Sequence, residues 1–306
     1  MKNPLLFICC MVGACVARAE LRTQTVEYKQ GDATLEGALV HDPAITGKRP
    51  GVLVVHQWKG LGDYEKKRAE MLARLGYNVF CVDIYGKGIR PDNPKDASAE
   101  AGKYKSNRPL LRTRVKAGLE VLRKHELTDP KRIAAIGYCF GGTTVIELAR
   151  SGADIAGVVS FHGALDSPSP ADGKNVRCKV LALHGADDPF VPAQDVAAFE
   201  EEMRQARVDW QLVNYGGAVH SFTDWTAGND NSKGAAYNEQ ADRRSWEAMK
   251  AFFAEIFKAR PPFRVGVPSD PRVRSTVPTR QARDVHLQPA QGRRHLQQGR
   301  PRPADR

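Results

Sequence analysis

The stretch Gly137-Tyr138-Cys139-Phe140-Gly141-Gly142 lies between an apolar run at residues 133–136 and a predicted helix that begins at Thr143. A nucleophile flanked at two residues on either side by glycine, at a strand-to-helix junction, forms a sharp turn that lifts the central side chain above the sheet. The helix that follows points the positive end of its dipole at the sulfur, which favours a thiolate. We therefore predict that Cys139 is a nucleophile; the alternative is a buried structural cysteine in a glycine-rich turn.

Short apolar runs alternate with helical patterns on both sides of this turn. Residues 26–28 and 35–40 predict an opening hairpin, and continuous apolar runs predict buried strands at residues 51–56, 78–83, 132–137, 155–162, 179–184 and 210–215. Apolar residues at helical spacing predict helices at residues 64–75, 110–125, 143–150, 194–205 and 241–257. Strands that alternate with helices indicate an α/β fold, in which a mostly parallel central sheet carries helices on both faces.

Two loops after later strands carry the partners that such a nucleophile needs. In this kind of fold an acid and then a histidine follow the nucleophile along the chain, each on a loop after a strand. Asp187 and Asp188 follow the strand at residues 179–184, and His220 follows the strand at residues 210–215. We predict Asp188 as the acid, with Asp187 as the alternative, and His220 as the base. Three other histidines end strands at the same edge and are expected to make structural hydrogen bonds: His56, His162 and His184.

The amino terminus has the pattern of a secretory signal. An apolar run at residues 5–12 follows Lys2, and the small-residue pattern Ala17-Arg18-Ala19 predicts cleavage after Ala19. The run is shorter than the roughly 20 residues that span a bilayer as a helix. We therefore expect a secreted or periplasmic protein whose mature chain begins at residue 20. Two alternatives remain: lipidation of Cys15 within a lipoprotein-like box, or an unprocessed amino terminus.

Charge is distributed unevenly along the chain. The 306 residues are 42% hydrophobic and 26% charged, which is typical of a soluble globular protein and excludes a polytopic membrane protein or a coiled coil. The formal net charge of +11 comes from the ends, because residues 20–257 hold 32 basic and 32 acidic residues. We therefore expect a neutral catalytic domain at residues 20–258 that binds no nucleic acid.

Residues 259–306 are rich in arginine, proline and glutamine and show no helical or strand period. Such a segment buries too little apolar surface to offset its ordering entropy, so we expect a disordered tail. A nucleic-acid-binding or membrane-binding arm is one alternative, and translation in a shifted reading frame is another.

Six cysteines are present, of which three lie in the predicted signal. The remaining Cys81, Cys139 and Cys178 are an odd number, so at least one thiol should stay free. The sequence has no Cys-x-x-Cys pair and no His-Glu-x-x-His motif, and we expect neither a metal nor another cofactor. Redox chemistry of the thioredoxin type is disfavoured because no resolving cysteine lies near Cys139.

Several motifs in this order resemble those of the dienelactone hydrolase family of α/β-hydrolases over about residues 21–257. They are Val54-Val55-His56-Gln57-Trp58-Lys59-Gly60, Val82-Asp83-Ile84-Tyr85-Gly86, the turn at residues 137–142, Asp188-Pro189-Phe190-Val191-Pro192 and His220-Ser221-Phe222. The resemblance implies that Cys139 is the nucleophile, His220 the base and Asp188 the acid that orients it. It also implies an oxyanion hole made by the backbone N–H groups of Phe140 and Trp58.

The chain departs from the family at positions that contact the thiol and the substrate. Dienelactone hydrolases have a glutamate where this chain has Gln57, and they hold the substrate carboxylate with two arginines where this chain has Lys87 and Asp224. We therefore expect anionic substrates to bind poorly and Lys87 to pair with Asp224. The predicted substrate-binding residues are Gln57, Tyr85, Lys87, Tyr138, Phe222 and Asp224. An aromatic lip is predicted from Trp58, Tyr85, Tyr138, Phe222 and Trp225.

Together these patterns predict a cysteine-dependent hydrolase of carboxylic esters or lactones that acts through a thioester acyl-enzyme. Its expected partner is a small-molecule substrate, and a monomer is favoured. Two alternatives stay open: a non-catalytic homologue that binds a ligand in the same pocket, and an acyl transferase or peptidase that uses the same triad.

Overall fold

The computed structural model describes residues 20–258. Within that range the strands are β1 (Arg22–Gln30), β2 (Ala33–His41), β3 (Arg49–Val55), β4 (Asn78–Val82), β5 (Thr128–Tyr138), β6 (Gly157–Phe161), β7 (Lys179–Gly185) and β8 (Trp210–Tyr215). The helices are α1 (Asp63–Arg74), α2 (Pro94–Lys105), α3 (Arg108–Lys124), α4 (Phe140–Arg150), α5 (Ala193–Gln205) and α6 (Glu239–Ile256). The predicted signal at residues 1–19 and the predicted tail at residues 259–306 lie outside the described residues.

The eight strands form one sheet in the order β1-β2-β4-β3-β5-β6-β7-β8. β2 pairs antiparallel with both β1 and β4, and the other neighbouring pairs, from β4–β3 to β7–β8, are parallel. β5 lies at the centre of the parallel part, so that its carboxyl end at Tyr138 delivers the glycine-rich turn to the middle of the sheet edge. This is the α/β-hydrolase fold, and the predicted fold class is confirmed.

Helices cover the two faces of the sheet and form two separate apolar cores. One core contains buried residues of α2, α3, α4 and α5, together with Phe140 and Val191. The other contains buried residues of α1 and α6, together with Tyr138 and Phe222. Alternate side chains of a strand point to opposite faces, so neighbouring residues at the sheet edge belong to different cores.

One helix was absent from the sequence prediction. α2 begins after Asn93, whose side chain accepts a hydrogen bond from the Asp96 N–H, and Pro94 is its first residue. An asparagine cap followed by proline is a helix-start signal that was available in the sequence. The helix has a weak apolar stripe, and its four buried residues are Ala97, Glu100, Ala101 and Tyr104. Periodicity alone therefore missed it, although it forms part of the wall of the site.

Within residues 20–258 no helix combines the length and the apolar composition needed to cross a membrane. Cys81, Cys139 and Cys178 are all free thiols. Cys81 and Cys178 are buried, whereas Cys139 is partly exposed.

Candidate active site

Cys139 occupies a tight turn between β5 and α4. Its φ of 54° lies in the left-handed region, which a residue with a side chain adopts only where the surrounding structure enforces it. A Cβ on Gly137 would lie 2.0 Å from the carbonyl oxygen of Gly141, and a Cβ on Gly141 would lie 2.2 Å from the carbonyl oxygen of Val55. Both positions therefore require glycine, and the turn presses the start of α4 against the end of β3.

Cys139, His220 and Asp188 form a continuous hydrogen-bonded chain. His220 Nε2 lies 3.1 Å from Cys139 Sγ, and His220 Nδ1 lies 2.8 Å from Asp188 Oδ2. The Asp188 carboxylate is fully buried, and its other oxygen accepts a hydrogen bond from the Phe190 N–H at 2.9 Å. Asp187, the alternative acid, instead accepts a hydrogen bond from the Gly217 N–H. Of the two aspartates, Asp188 therefore contacts the histidine.

The charges of Cys139, His220 and Asp188 stabilise one another. Burial alone would raise the pKa of the Cys139 thiol, but the His220 ring beside it and the hydrogen bond from the Phe140 N–H outweigh burial and lower that pKa below its ordinary value. Burial alone would lower the pKa of His220, but the Cys139 sulfur and the Asp188 carboxylate raise it to about 10. The arrangement therefore favours a thiolate–imidazolium pair at neutral pH.

The two residues predicted to form the oxyanion hole, Phe140 and Trp58, both line the cavity that contains Cys139. The Phe140 N–H belongs to the first residue of α4 and already favours negative charge at Cys139. Trp58 lies in the turn after β3, which Gly141 meets at close range, and its N–H has no acceptor in the described part of the chain. The turn is held by Glu65, which accepts hydrogen bonds from the Gln57 and Gly62 N–H groups.

A second layer of hydrogen bonds supports the nucleophile turn from behind. The Cys139 N–H donates to His162 Nδ1 at 3.1 Å, and His162 Nε2 lies 2.8 Å from Thr223 Oγ1. Thr223 Oγ1 is in turn 2.6 Å from the Tyr64 hydroxyl. Burial and the neighbouring His220 lower the pKa of His162 well below its ordinary value. His162 is therefore neutral, accepts the nucleophile's N–H and adds no second positive charge beside the His220 imidazolium.

His56 and His162 make the structural hydrogen bonds expected for them. His56 Nε2 accepts the Ile84 N–H, and its Nδ1 lies 2.6 Å from the Gln57 carbonyl oxygen. His184 instead lines a separate cavity of about 590 Å³ beside Asp188, and its buried Nδ1 has no hydrogen-bond partner in the described chain. Sequence reasoning missed Glu65 and Thr223, because nothing local in the sequence marks a side chain that bonds to a distant turn.

The sulfur opens into a cavity of about 810 Å³. His220, Trp58 and Phe140 line the same cavity as Cys139. Its walls are mainly apolar, with charged residues from the α2–α3 segment and from the loop after β6. The remaining lining residues are Ser98, Ala101, Gly102, Lys105, Ser106, Arg108, Thr143, Ala164, Asp166, Phe190, Val191, Ser221 and Ala235.

The structure does not place the predicted substrate-binding residues in this wall. None of the six lines the cavity: Gln57, Tyr85, Lys87, Tyr138, Phe222 and Asp224. Tyr138 and Phe222 are fully buried in the core beneath α1 and α6. Tyr138 is the last residue of β5 and precedes Cys139, so alternation along the strand turns its side chain to the opposite face. Phe222 lies two residues after His220, in the loop after β8, and its side chain packs into the same core. The predicted positions of Tyr138 and Phe222 are therefore corrected.

The predicted ion pair between Lys87 and Asp224 is wrong. Lys87 is exposed and pairs with Glu27, whereas Asp224 accepts a hydrogen bond from Gln57 Nε2 at 3.0 Å. Lys87 stands beside the opening hairpin, far in sequence from the loop after β8, and the hairpin supplies the nearer carboxylate. The departures from the family therefore leave Gln57 and Asp224 bonded to each other.

The predicted aromatic lip is also corrected. Of its five members only Trp58 lines the cavity. Tyr85 is buried, with its hydroxyl donating to the Trp58 carbonyl oxygen. Trp225 covers the buried guanidinium of Arg68 at 4.3 Å instead. Phe190, which the sequence analysis did not select, lines the cavity and packs edge-on against His220.

Among residues 20–258 no three histidine, cysteine or carboxylate side chains are grouped so as to hold a metal ion. The chemistry available in the site is that of the thiolate, the imidazole and the backbone donors. This set can form and hydrolyse a covalent acyl intermediate.

Comparisons with known proteins agree with this architecture. A sequence model described as the dienelactone hydrolase family matches residues 36–257. Among solved structures, m3DLH is 39% identical with a TM-score of 0.75, over 78% of this chain and 99% of its own. A dienelactone hydrolase-like promiscuous phosphotriesterase, P91 from metagenomic libraries, is 37% identical with a TM-score of 0.73, over 77% of this chain and 98% of its own. A Bradyrhizobium sp. relative named "Probable 2-oxo-3-(5-oxofuran-2-ylidene)propanoate lactonase" is 28% identical over 216 residues, 66% of this chain and 86% of the relative.

Proposed function

The chain belongs to the dienelactone hydrolase family and is a hydrolase, and we propose that it cleaves neutral carboxylic esters or lactones with a Cys139–His220–Asp188 triad. The observation that carries this proposal is the chain of contacts at 3.1 Å and 2.8 Å from Sγ through the imidazole to the buried carboxylate. The Cys139 sulfur and the His220 imidazole open into a cavity large enough for a small organic substrate.

In the first half of the proposed reaction the Cys139 thiolate attacks the acyl carbon, and the carbonyl oxygen becomes an oxyanion between the N–H groups of Phe140 and Trp58. The tetrahedral intermediate collapses, the bond to the leaving oxygen breaks, and the His220 imidazolium gives its proton to the departing alkoxide. A thioester on Cys139 remains. Asp188 keeps the ring oriented with Nε2 towards the sulfur.

In the second half neutral His220 removes a proton from water, and the resulting hydroxide attacks the thioester carbon. The new oxyanion occupies the same two N–H groups. Collapse breaks the carbon–sulfur bond and releases the carboxylic acid, and the thiolate–imidazolium pair is restored. For a lactone, acid and alcohol leave as one molecule.

The residues that this chain carries at the family's anion-binding positions favour a neutral substrate. Asp224 carries a negative charge where a family arginine would stand, and Gln57 is bonded to it. Lys87 is held outside by Glu27. No cation from those positions is therefore available to a substrate carboxylate.

A panel of p-nitrophenyl esters and small lactones tests the proposal against wild type, Cys139→Ala and Asp187→Asn. We expect turnover in wild type and Asp187→Asn and none above background in Cys139→Ala. Rapid quenching followed by intact-mass measurement should detect an acyl adduct in wild type that Cys139→Ala lacks. Turnover that survives in Cys139→Ala would refute the thiolate mechanism, and a wild type that is alkylated by iodoacetamide yet cleaves nothing would favour a ligand-binding role.

A second candidate substrate is a neutral phosphotriester. P91, which is 37% identical to this chain, is described as a promiscuous phosphotriesterase. The same thiolate could attack phosphorus and expel an aryloxide, with the developing negative oxygen at the same N–H groups. Release of p-nitrophenol from a p-nitrophenyl dialkyl phosphate, measured beside the ester panel, ranks the two substrate classes by kcat/KM.

We further propose that the protein is secreted or periplasmic and that its signal is cleaved after Ala19. Support comes from the sequence pattern at residues 1–19 alone. Amino-terminal sequencing of the protein from its native host tests this: a first residue of Glu20 supports cleavage, whereas a lipidated Cys15 or a retained Met1 refutes it.

A further inference from the structure

One glycine of the cavity wall is not required by the backbone. Gly102 lies inside α2 and lines the cavity into which Cys139 opens. Its φ lies outside the left-handed region, so any residue could adopt its conformation. Glycine inside a helix is less favourable than alanine, because its backbone loses more conformational freedom on folding. The absence of a side chain at this position therefore weakens α2 and needs another explanation.

The other glycines within α1 to α6 each make room for a neighbouring strand. A Cβ on Gly118 would lie 2.2 Å from a side chain of β4. A Cβ on Gly141 would lie 2.2 Å from the backbone of β3, and one on Gly142 would lie 2.7 Å from a side-chain oxygen of β6. A Cβ on Gly102 would meet no atom outside its own helix within 4 Å. The space beside Gly102 is the cavity itself, to which the residue is partly exposed.

The proposed reaction determines which part of a substrate lies on each side of this cavity. His220 must reach the leaving oxygen to protonate it, so the alcohol part of an ester lies on the His220 side. Phe190 packs edge-on against the His220 ring, and Ala235 pairs with His220 in a β-bridge. Both residues line the cavity, and neither belongs to α2. They form the wall that the alcohol part meets.

α2 lies beside the residue that follows the nucleophile. The ring of Tyr104, in α2, packs edge-on against the ring of Phe140 with 6.4 Å between centroids, and its hydroxyl donates to the Tyr85 carbonyl oxygen at 3.0 Å. The acyl part of the substrate stays bonded to sulfur after the alcohol has left, on the side away from His220. Its wall is the face of α2 that lines the cavity: Ser98, Ala101, Gly102 and Lys105.

We propose that the cavity face of α2 is the acyl subsite and that Gly102 determines its size, leaving room for a bulky, uncharged acyl group such as phenylacetyl. This proposal rests on the proposed function. The cavity walls are mainly apolar, so an apolar acyl group is removed from water when it fills this space. A side chain at position 102 would occupy the same space.

The test compares p-nitrophenyl phenylacetate with p-nitrophenyl acetate, each rate being divided by the rate of that ester with hydroxide. In wild type kcat/KM should be higher for the phenylacetate. Gly102→Leu should lower the ratio of phenylacetate to acetate by about tenfold or more, because one methylene group in an apolar pocket changes kcat/KM by about 10–200-fold. Gly102→Ala adds a single carbon and should lower the ratio less.

Stability should change in the opposite direction. Because alanine replaces glycine inside a helix, the melting temperature of Gly102→Ala should rise by about 1–4 °C while its relative turnover of the phenylacetate falls. Ala99→Leu is the matched control, since Ala99 is exposed on α2 and does not line the cavity. It should keep the wild-type ratio. Each ratio is measured within one preparation, so a smaller folded fraction cancels.

A second pair of esters distinguishes the acyl side from the alcohol side. Ethyl acetate and benzyl acetate differ in the leaving alcohol alone, and Gly102→Leu should keep their wild-type ratio. If Gly102→Leu instead disfavours benzyl acetate and keeps the acyl ratio, α2 holds the alcohol and the proposal is refuted.

The remaining outcomes separate this proposal from the proposed function. If wild type prefers the acetate, or if both Gly102 variants keep the wild-type acyl ratio, the acyl subsite is refuted and the hydrolase proposal stands. A lower melting temperature in Gly102→Ala also refutes it, because the glycine would then serve the fold. If wild type cleaves none of these esters, the proposed function itself fails.

Discussion

Replacing Asp188 by asparagine removes the charge that holds the His220 imidazolium and should lower the pKa of His220 substantially. The Asp188 carboxylate is fully buried and lies 2.8 Å from Nδ1, so its charge is poorly screened. A hydrogen bond between charged groups of this kind contributes about 1.5–3 kcal/mol. At 1.36 kcal/mol for each pH unit, the pKa of His220 should fall by about 1–2 units.

The sign follows from which form the carboxylate stabilises. In wild type the positive ring is favoured and its pKa is raised to about 10. In Asp188→Asn the pKa of the ring falls from about 10 to about 8–9, so between about pH 8 and 10 the variant loses the ring proton that wild type still holds, and the thiolate loses its counter-charge there. Titration of the His220 ring by NMR should reveal the lower pKa, and iodoacetamide should alkylate Cys139 more slowly than in wild type at about pH 9.

Asp187→Asn is the matched control, because Asp187 contacts the Gly217 N–H and not the histidine. It should leave both the ring titration and the alkylation rate as in wild type. The reasoning is refuted if Asp188→Asn titrates with the wild-type pKa, or if both aspartate variants shift it equally.

Three further changes have definite expected outcomes. Gln57→Glu places a second carboxylate beside Asp224, because Gln57 Nε2 now lies 3.0 Å from Asp224 Oδ2, and the repulsion raises the pKa of the carboxyl pair. The melting temperature should therefore fall at neutral pH and recover below about pH 5, where the pair takes up a proton. A loss of stability that does not depend on pH would contradict this. Thr223→Val removes the hydroxyl that lies 2.8 Å from His162 Nε2 and should cost about 1–3 kcal/mol in urea unfolding, whereas Thr223→Ser should restore most of it. Deletion of residues 261–306 should change neither melting temperature nor ester turnover, and a drop of more than a few degrees would show that the tail packs on the domain.

Much of the site was readable from the sequence because its signals are local. The two glycines around Cys139 are required by backbone collisions within the turn itself. Apolar runs mark strands that are buried on both faces, and the order of nucleophile, acid and histidine follows from the order of the strands. The positions of Cys139, Asp188 and His220 at one sheet edge therefore follow from patterns that span a few residues each.

Which side chains surround the sulfur was decided by the tertiary structure. Tyr138 and Phe222 lie one and two residues from triad residues in sequence, yet both side chains are buried in the core beneath α1 and α6. Arg108 and Asp166 carry no catalytic motif, but the packing of α3 beside the loop after β6 brings them to the cavity wall. Local sequence patterns place the backbone of a residue near the site, but the wall of the cavity is formed by side chains from segments that are far apart in sequence. Their contacts depend on how helices pack on the sheet, and no local pattern in the sequence encodes that.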